Sequence, residues 1–177
     1  MGPLVSADQA DRVLGYIEAA RADGGKVLTG GERPDDPKLA RGNFVRPTVV
    51  EEVPLRSKAV REEIFGPVLS VFSFRETDEA VALANDTRFG LFAALWTKDP
   101  GAAHALARRL EAGMVAINDP PNTYPQTPFG GVKESGVGSE QGRRSIEFFT
   151  RTKNVLVHLG SPRKKPAHEP VRTKPPK

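Results

Sequence analysis

The chain has no cysteine anywhere in its 177 residues. That absence excludes a disulfide framework, thiolate metal centres and any reaction run through a thiol of this polypeptide, and it fits a cytoplasmic protein. Histidine is scarce: His104, His158 and His168 lie far apart, without metal-ligand spacing and with no nucleophile motif nearby. His104, beside Arg108, reads as a solvated surface residue, and no metal site is expected. No apolar run approaches the roughly 18 residues a membrane helix requires. The start lacks the basic-then-apolar pattern of a secretory leader.

The formal net charge is +4, which invites a nucleic-acid reading. Its placement argues otherwise. Arg163, Lys164, Lys165, Arg172, Lys174 and Lys177 face only Glu169 across residues 160–177, a local balance of +5 that leaves the rest at −1. A near-neutral body lacks the electrostatic footprint of a DNA-binding fold. The tail, with five prolines after Gly160, reads as disordered and basic, with at most weak affinity for phosphate or anionic lipid.

Along the body, Ser6 and Gln9 form a capping-box pattern. Val13, Leu14, Ile17 and Ala20 then repeat at helical spacing until Gly24 and Gly25. Gly15 sits inside this helix at a cost of about 1 kcal/mol against alanine, so a close neighbour is expected there. Lys26–Thr29 and Thr48–Val50 read as strands, and residues 32–42 as an exposed loop. Ser57–Glu62 reads as one capped helical turn. The apolar run from Val68 to Phe74 suits a strand covered on both faces.

Thr77 reads as the cap of the next helix, ending near Asn85. Leu91–Thr97 is a strand, Asp99 and Pro100 open a helix to about Ala112, and Met114–Ile117 is a strand ending at Asn118. This order predicts a right-handed parallel α/β sheet, with ligands beyond the carboxyl ends of its strands, where Asn118 lies. Residues 119–138 form a Pro- and Gly-rich loop, too long for a simple connector. A helix over Ser139–Phe148 and a strand over Thr152–Leu159 complete the pattern, the latter an edge strand in need of a partner.

The run Glu62, Glu63, Ile64, Phe65, Gly66, Pro67, followed downstream by Pro128, Phe129, Gly130, Gly131, Val132, Lys133, Glu134, Ser135, Gly136, resembles two ordered motifs of NAD(P)-dependent aldehyde dehydrogenases. The resemblance spans residues 2–159, including the opening Gly2, Pro3, Leu4, Val5, Ser6. It implies a three-layer α/β fold around a parallel sheet, like that family's catalytic domain, with a carboxyl-terminal association strand. Residues 1–159 are then a partial catalytic domain, and 160–177 an appended tail. In longer family members the dinucleotide-binding domain, the general base and the nucleophilic cysteine precede the first motif. Only 62 residues precede Glu63, so Met1 is expected to be an internal methionine of a longer reading frame, or the start of a shortened gene.

The resemblance assigns Glu63 to the hydroxyls of the nicotinamide ribose and Phe65 to the side of the nicotinamide ring, in NAD or NADP. A carboxylate can accept both hydrogens of a diol, and a flat apolar ring can restrict the nicotinamide. Without the motif, the same residues would be a charged loop leading into a buried strand. Phe129 matches a position lining the aldehyde pocket. Thr123 and Tyr124 lie in the preceding segment, Asp119–Thr127, which shapes substrate choice in the family; a rigid surface loop without a ligand is the competing view. Ser139 stands before Glu140 where the family usually has arginine.

Gly136, Val137, Gly138 begins like a dinucleotide fingerprint, but Gln141 replaces the third glycine and no strand leads into it. Lys133 follows Val132, so no nucleotide-triphosphate loop is present, and Ser135 lacks a nucleophile elbow. No catalytic nucleophile or base is assigned to this chain. The expectation is the carboxyl-terminal part of an aldehyde-oxidising oxidoreductase, inactive alone. The alternatives are an interaction module that pairs through residues 152–159 with itself or with a full-length homologue, and a gene remnant without function.

Overall fold

Residues 1–160 are described by the computed structural model; the tail expected over 160–177 lies outside them apart from Gly160. The first helix, α1 (Ala7–Ala22), begins where Ser6 Oγ accepts the Gln9 amide at 3.1 Å. Only half of the expected capping box forms, because the Gln9 side chain reaches elsewhere. The apolar stripe of α1 buries Ala10, Val13, Tyr16, Ile17 and Ala20. Complete burial of Val13 and Ile17 stabilises the fold by about 1.5–3 kcal/mol each before entropy is counted. Nothing packs at Gly15: a Cβ there would meet no atom within 4 Å.

Against α1 lies a three-stranded sheet of β1 (Lys26–Thr29), β2 (Thr48–Glu51) and β3 (Val68–Val71), in that order. β1 runs antiparallel to β2, with an irregularity between Val27 and Thr29, and β2 runs parallel to β3 with Thr48 opposite Val68. Helix α2 (Lys58–Arg61) is the turn capped by Ser57. Two adjoining clusters form the core, one around Ala10, Val13, Ile17 and Val45, the other around Ala20, Val50, Val53 and Ala59. Both belong to the first third of the chain.

The remainder is α3 (Thr77–Asn85), β4 (Phe89–Gly90), β5 (Phe92–Leu95), α4 (Pro100–Ala107), β6 (Met114–Ile117), β7 (Val132–Lys133) and α5 (Gly142–Phe149). β5 pairs parallel with β6, and β4 pairs antiparallel with β7. The α/β class and the parallel βαβ units match expectation. The single continuous sheet does not form: the strands divide among three small sheets, because β3 and β5 never meet.

Local boundaries also shift for identifiable reasons. Glu76, not Thr77, precedes α3, and no side chain caps it. Helix α4 ends at Ala107, earlier than its apolar pattern suggested. α5 starts at Gly142 because Glu140 is engaged in a two-way backbone bridge with Phe129, at 2.8 and 2.7 Å, and Gln141 turns left-handed. The strand expected over Thr152–Leu159 is absent. Those residues have no sheet partner, and Leu156 is 90% exposed; a lone strand leaves its hydrogen bonds unmade and has no reason to hold its form.

Candidate cofactor-side site

The loop from Glu62 to Pro67 joins α2 to β3, and three polar residues on one side of α1 hold it. Gln9 Nε2 donates to the carbonyls of Ile64 and Phe65, both at 3.1 Å. Arg12 Nη2 donates to the Glu63 carbonyl at 3.4 Å and to the Tyr16 hydroxyl at 3.3 Å. Tyr16 in turn donates to Glu62 Oε2 at 2.7 Å, the short distance of a charge-assisted bond. The Arg12 guanidinium is pushed further toward its charged form, first by Tyr16 and then by Glu62 and Glu63. Positions 9, 12 and 16 share one face at helical spacing. That spacing was readable in the sequence, but its target, 46 to 56 residues away, was not.

Within the loop, alternate residues go opposite ways. Ile64 packs on the α1 core, whereas Phe65 is 73% exposed with a backbone φ of +52°. Left-handed geometry is costly for a bulky side chain, on the order of 1–2 kcal/mol. The surrounding hydrogen bonds impose it and turn the ring outward. Gly66 is required because a Cβ there would collide with Val13. Pro67 returns the chain to the sheet, its carbonyl accepting the Thr48 amide at 2.8 Å.

Glu63 lines an open cavity of about 440 Å³, together with Leu91, Phe92 and Ala93 at the edge of β5 and with Glu134 and Ser135. That volume lies within the range of small-molecule sites. Phe129, Thr123 and Tyr124 do not line it. Phe129 borders a separate hollow of about 180 Å³ with Leu91, Ser135 and Phe148. Tyr124 is exposed, its hydroxyl donating to Asp119 Oδ2 at 3.4 Å and its carbonyl accepting from Thr127. Thr123 is exposed on the same loop. Phe65, a loop neighbour of Glu63, does not line the cavity either; the hollow beside Phe129 adjoins it through the shared Leu91 and Ser135, while Thr123 and Tyr124 line neither.

The second motif has structural duties that its wording did not reveal. Lys133 Nζ donates to the carbonyls of Asn85 at 2.8 Å and Thr87 at 3.1 Å, and pairs with Glu111 at 2.7 Å. Ser135 Oγ accepts the Gly90 amide at 2.8 Å. Asn118 exchanges bonds of 2.8 and 2.9 Å with the backbone of Thr97, which ties the ends of β5 and β6 and commits its amide. Among the described residues no group of His, Cys, Asp and Glu side chains could hold a metal ion.

Residues 1–155 match the model of the aldehyde dehydrogenase family. The chain belongs to that family. Among solved structures, an aldehyde dehydrogenase from Bacillus cereus in complex with NAD+ is 42% identical with a TM-score of 0.84, over 90% of this chain and 32% of that one. A betaine aldehyde dehydrogenase from Staphylococcus aureus, also with NAD+, is 40% identical with a TM-score of 0.81, over 83% and 29%. PnpE in complex with nicotinamide adenine dinucleotide is 48% identical with a TM-score of 0.82, over 85% and 31%. The chain thus spans about a third of the length of the structures it matches.

Proposed function

We propose that this chain is the part of an NAD(P)-dependent aldehyde-oxidising enzyme that positions the nicotinamide ribose and contributes a wall of the aldehyde pocket, and that it turns over only when other residues supply the thiol and base. The observation that carries this reading is the pinned Glu62–Phe65 loop, with Glu63 at a cavity and Phe65 held outward in a costly backbone geometry. Such strain is maintained by three α1 side chains without gaining burial for the ring, which favours a role in recognition.

The residues present suit one end of the cofactor. Glu63 offers two acceptor oxygens to a ribose diol, Phe65 offers an exposed flat ring, and the chain has no glycine-rich dinucleotide fingerprint. NAD(P), when bound, accepts hydride in the parent reaction. The residues of this chain orient the sugar, limit where the nicotinamide can move and, through Phe129 with Thr123 and Tyr124, shape the approach of the aldehyde. The thiolate that attacks the carbonyl and the base that activates water for thioester hydrolysis lie in residues this chain does not contain. A cytoplasmic setting accords with this chemistry.

The test is a fusion in which this chain replaces the matching third of the Bacillus cereus relative. The fusion is expected to reduce NAD+ in the presence of aldehydes, and Glu63→Ala in it to raise the KM for NAD+ by about tenfold, the loss of one good hydrogen-bonding group. A folded fusion without activity, or thiol-independent aldehyde oxidation by the isolated chain, would overturn the reading.

The exposed apolar residues Val155, Leu156, Val157 and Leu159 favour a second reading as an association segment, in a homo-oligomer or with a full-length homologue. Deleting residues 152–159 should abolish co-purification with such a homologue; unchanged co-purification would exclude it.

A further inference from the structure

Tyr16 is the residue at which α1, α2 and the Glu62–Pro67 loop meet. It is 6% exposed, in the buried stripe of α1. Two cations approach its ring: the Arg12 guanidinium of α1, 5.6 Å from the ring centroid, and Nζ of Lys58, the first residue of α2, at 5.5 Å. Both lie within the reach of cation–π attraction, which helps to hold the ring in place.

Packing alone does not require a hydroxyl at this position. Phenylalanine would fill the same space, and burying a hydroxyl costs free energy unless its hydrogen bonds are made. The Tyr16 hydroxyl makes two, accepting from Arg12 Nη2 and donating to Glu62 Oε2. The second bond reaches 46 residues along the chain, to the residue that closes α2. The ring therefore belongs to the core, and the hydroxyl serves the loop.

The other pins act elsewhere on the loop. Gln9 donates to the carbonyls of Ile64 and Phe65, downstream of Glu63. Arg12 donates to the Glu63 carbonyl at 3.4 Å, the longest of these bonds. Upstream of Glu63 the loop is held by the bond between Tyr16 and Glu62, at 2.7 Å the shortest of the set. Two carboxylates stand next to each other here and are used differently. Glu62 is committed to Tyr16, whereas Glu63 borders the cavity of about 440 Å³ and, among the described residues, its carboxylate enters no hydrogen bond or ion pair.

We propose that Tyr16 is a positioning residue for the cofactor ribose: by holding Glu62, its hydroxyl sets where the neighbouring Glu63 carboxylate stands at the cavity. This rests on the function proposed above, in which Glu63 accepts the ribose hydroxyls. Tyr16 lines no part of the cavity and acts only through the loop. A carboxylate serves a diol through two directed acceptor oxygens, so a displacement of about 1 Å weakens both bonds. Loss of the hydroxyl also frees Glu62 as a second negative charge beside the first, and like charges repel at such short range.

Two measurements test this, one on the full chain and one on the fusion with the Bacillus cereus relative. In the full chain, Tyr16→Phe is expected to keep the thermal midpoint, since the ring still fills its site, while a glutamate-specific protease cleaves after Glu63 about tenfold faster. Glu62→Ala should match Tyr16→Phe, and Glu62→Gln, whose amide oxygen still accepts the hydroxyl, should stay near the parent. In the fusion, Tyr16→Phe is expected to raise the KM for NAD+ about fivefold with kcat within about twofold. On a Glu63→Ala background it should add nothing, because the group it positions is gone.

Unchanged cleavage after Glu63 in Tyr16→Phe would overturn the proposal without any reference to activity. So would an equal rise in KM with and without Glu63, since Tyr16 would then act by another route. Should Tyr16→Phe lower the thermal midpoint, Glu62→Ala, which removes the same bond from an exposed side chain, carries the test in its place. A raised KM in Glu63→Ala beside an unchanged one in Tyr16→Phe overturns this proposal alone. An unchanged KM in Glu63→Ala overturns the ribose reading, and this proposal with it.

Discussion

Phe65, Gly15 and Lys133 show how differently single residues are constrained. Phe65 tolerates φ +52° while remaining exposed, so Phe65→Asn, which accepts the left-handed region more readily, should raise stability by about 1 kcal/mol. A higher urea midpoint would confirm it, and a lower one would show that the ring contributes to the fold. Gly15 lies mid-helix with open space where a Cβ would go. Gly15→Ala should therefore stabilise by about 0.5–1 kcal/mol, again read from the urea midpoint. Lys133 holds two carbonyls and Glu111 with a side chain only 24% exposed. Lys133→Met should cost about 1–3 kcal/mol by stranding those acceptors. The motifs containing Phe65 and Lys133 were legible in the sequence. That one is a strained, outward ring and the other a clasp on α3 was not, because both roles depend on partners distant along the chain.

At the scale of elements, α1 is the organising piece: one face forms the core and a neighbouring polar face holds the Glu62–Pro67 loop. Ile17→Ala should cost about 2–5 kcal/mol. Ile146→Ala on α5, whose side chain is exposed, should stay within about 0.5 kcal/mol. Thermal melts of the two variants would test where the core lies. Elements α2 and α3 are linked by Arg61, which donates to Asp86 Oδ2 at 2.7 Å and to the Asp86 carbonyl at 2.8 Å. That hydrogen bond, foremost among its causes, holds the Asp86 carboxyl below its ordinary value of 3.8. The folded state then binds fewer protons than the unfolded one, so the contribution is present above the ordinary carboxylate value and lost as pH falls through the lower folded value. Arg61→Ala should flatten the decline of the urea midpoint between about pH 5 and pH 3. Helix α1 and the strands over 26–29 and 48–50 were legible from caps, periodicity and β-branched runs. Helix α5 was placed three residues early, because the bridge between Phe129 and Glu140 is a pairing across ten residues, β7 among them, that no local pattern announces.

The chain exposes 14212 Å² against about 8400 Å² for a compact monomer of its mass, and beyond the first third only Gly90 and Ala103 are buried among the described residues. Less surface is then gained on unfolding, so the urea m-value should fall below that of a compact domain of 177 residues. An m-value at or above the compact-domain expectation would show that α3, α5 and the β5–β6 pair are better packed than their burial indicates. Composition, cap residues and two ordered motifs were enough to assign the class and the family, since these depend on local chemistry and on residue types in a fixed order. The division of the strands into three sheets, the unpaired Thr152–Leu159 segment and the separation of Phe129 from the Glu63 cavity were decided only in three dimensions. The physical reason is common to all three: a strand is completed by its neighbour, and whether that neighbour is present is a property of the assembled molecule that no stretch of sequence carries.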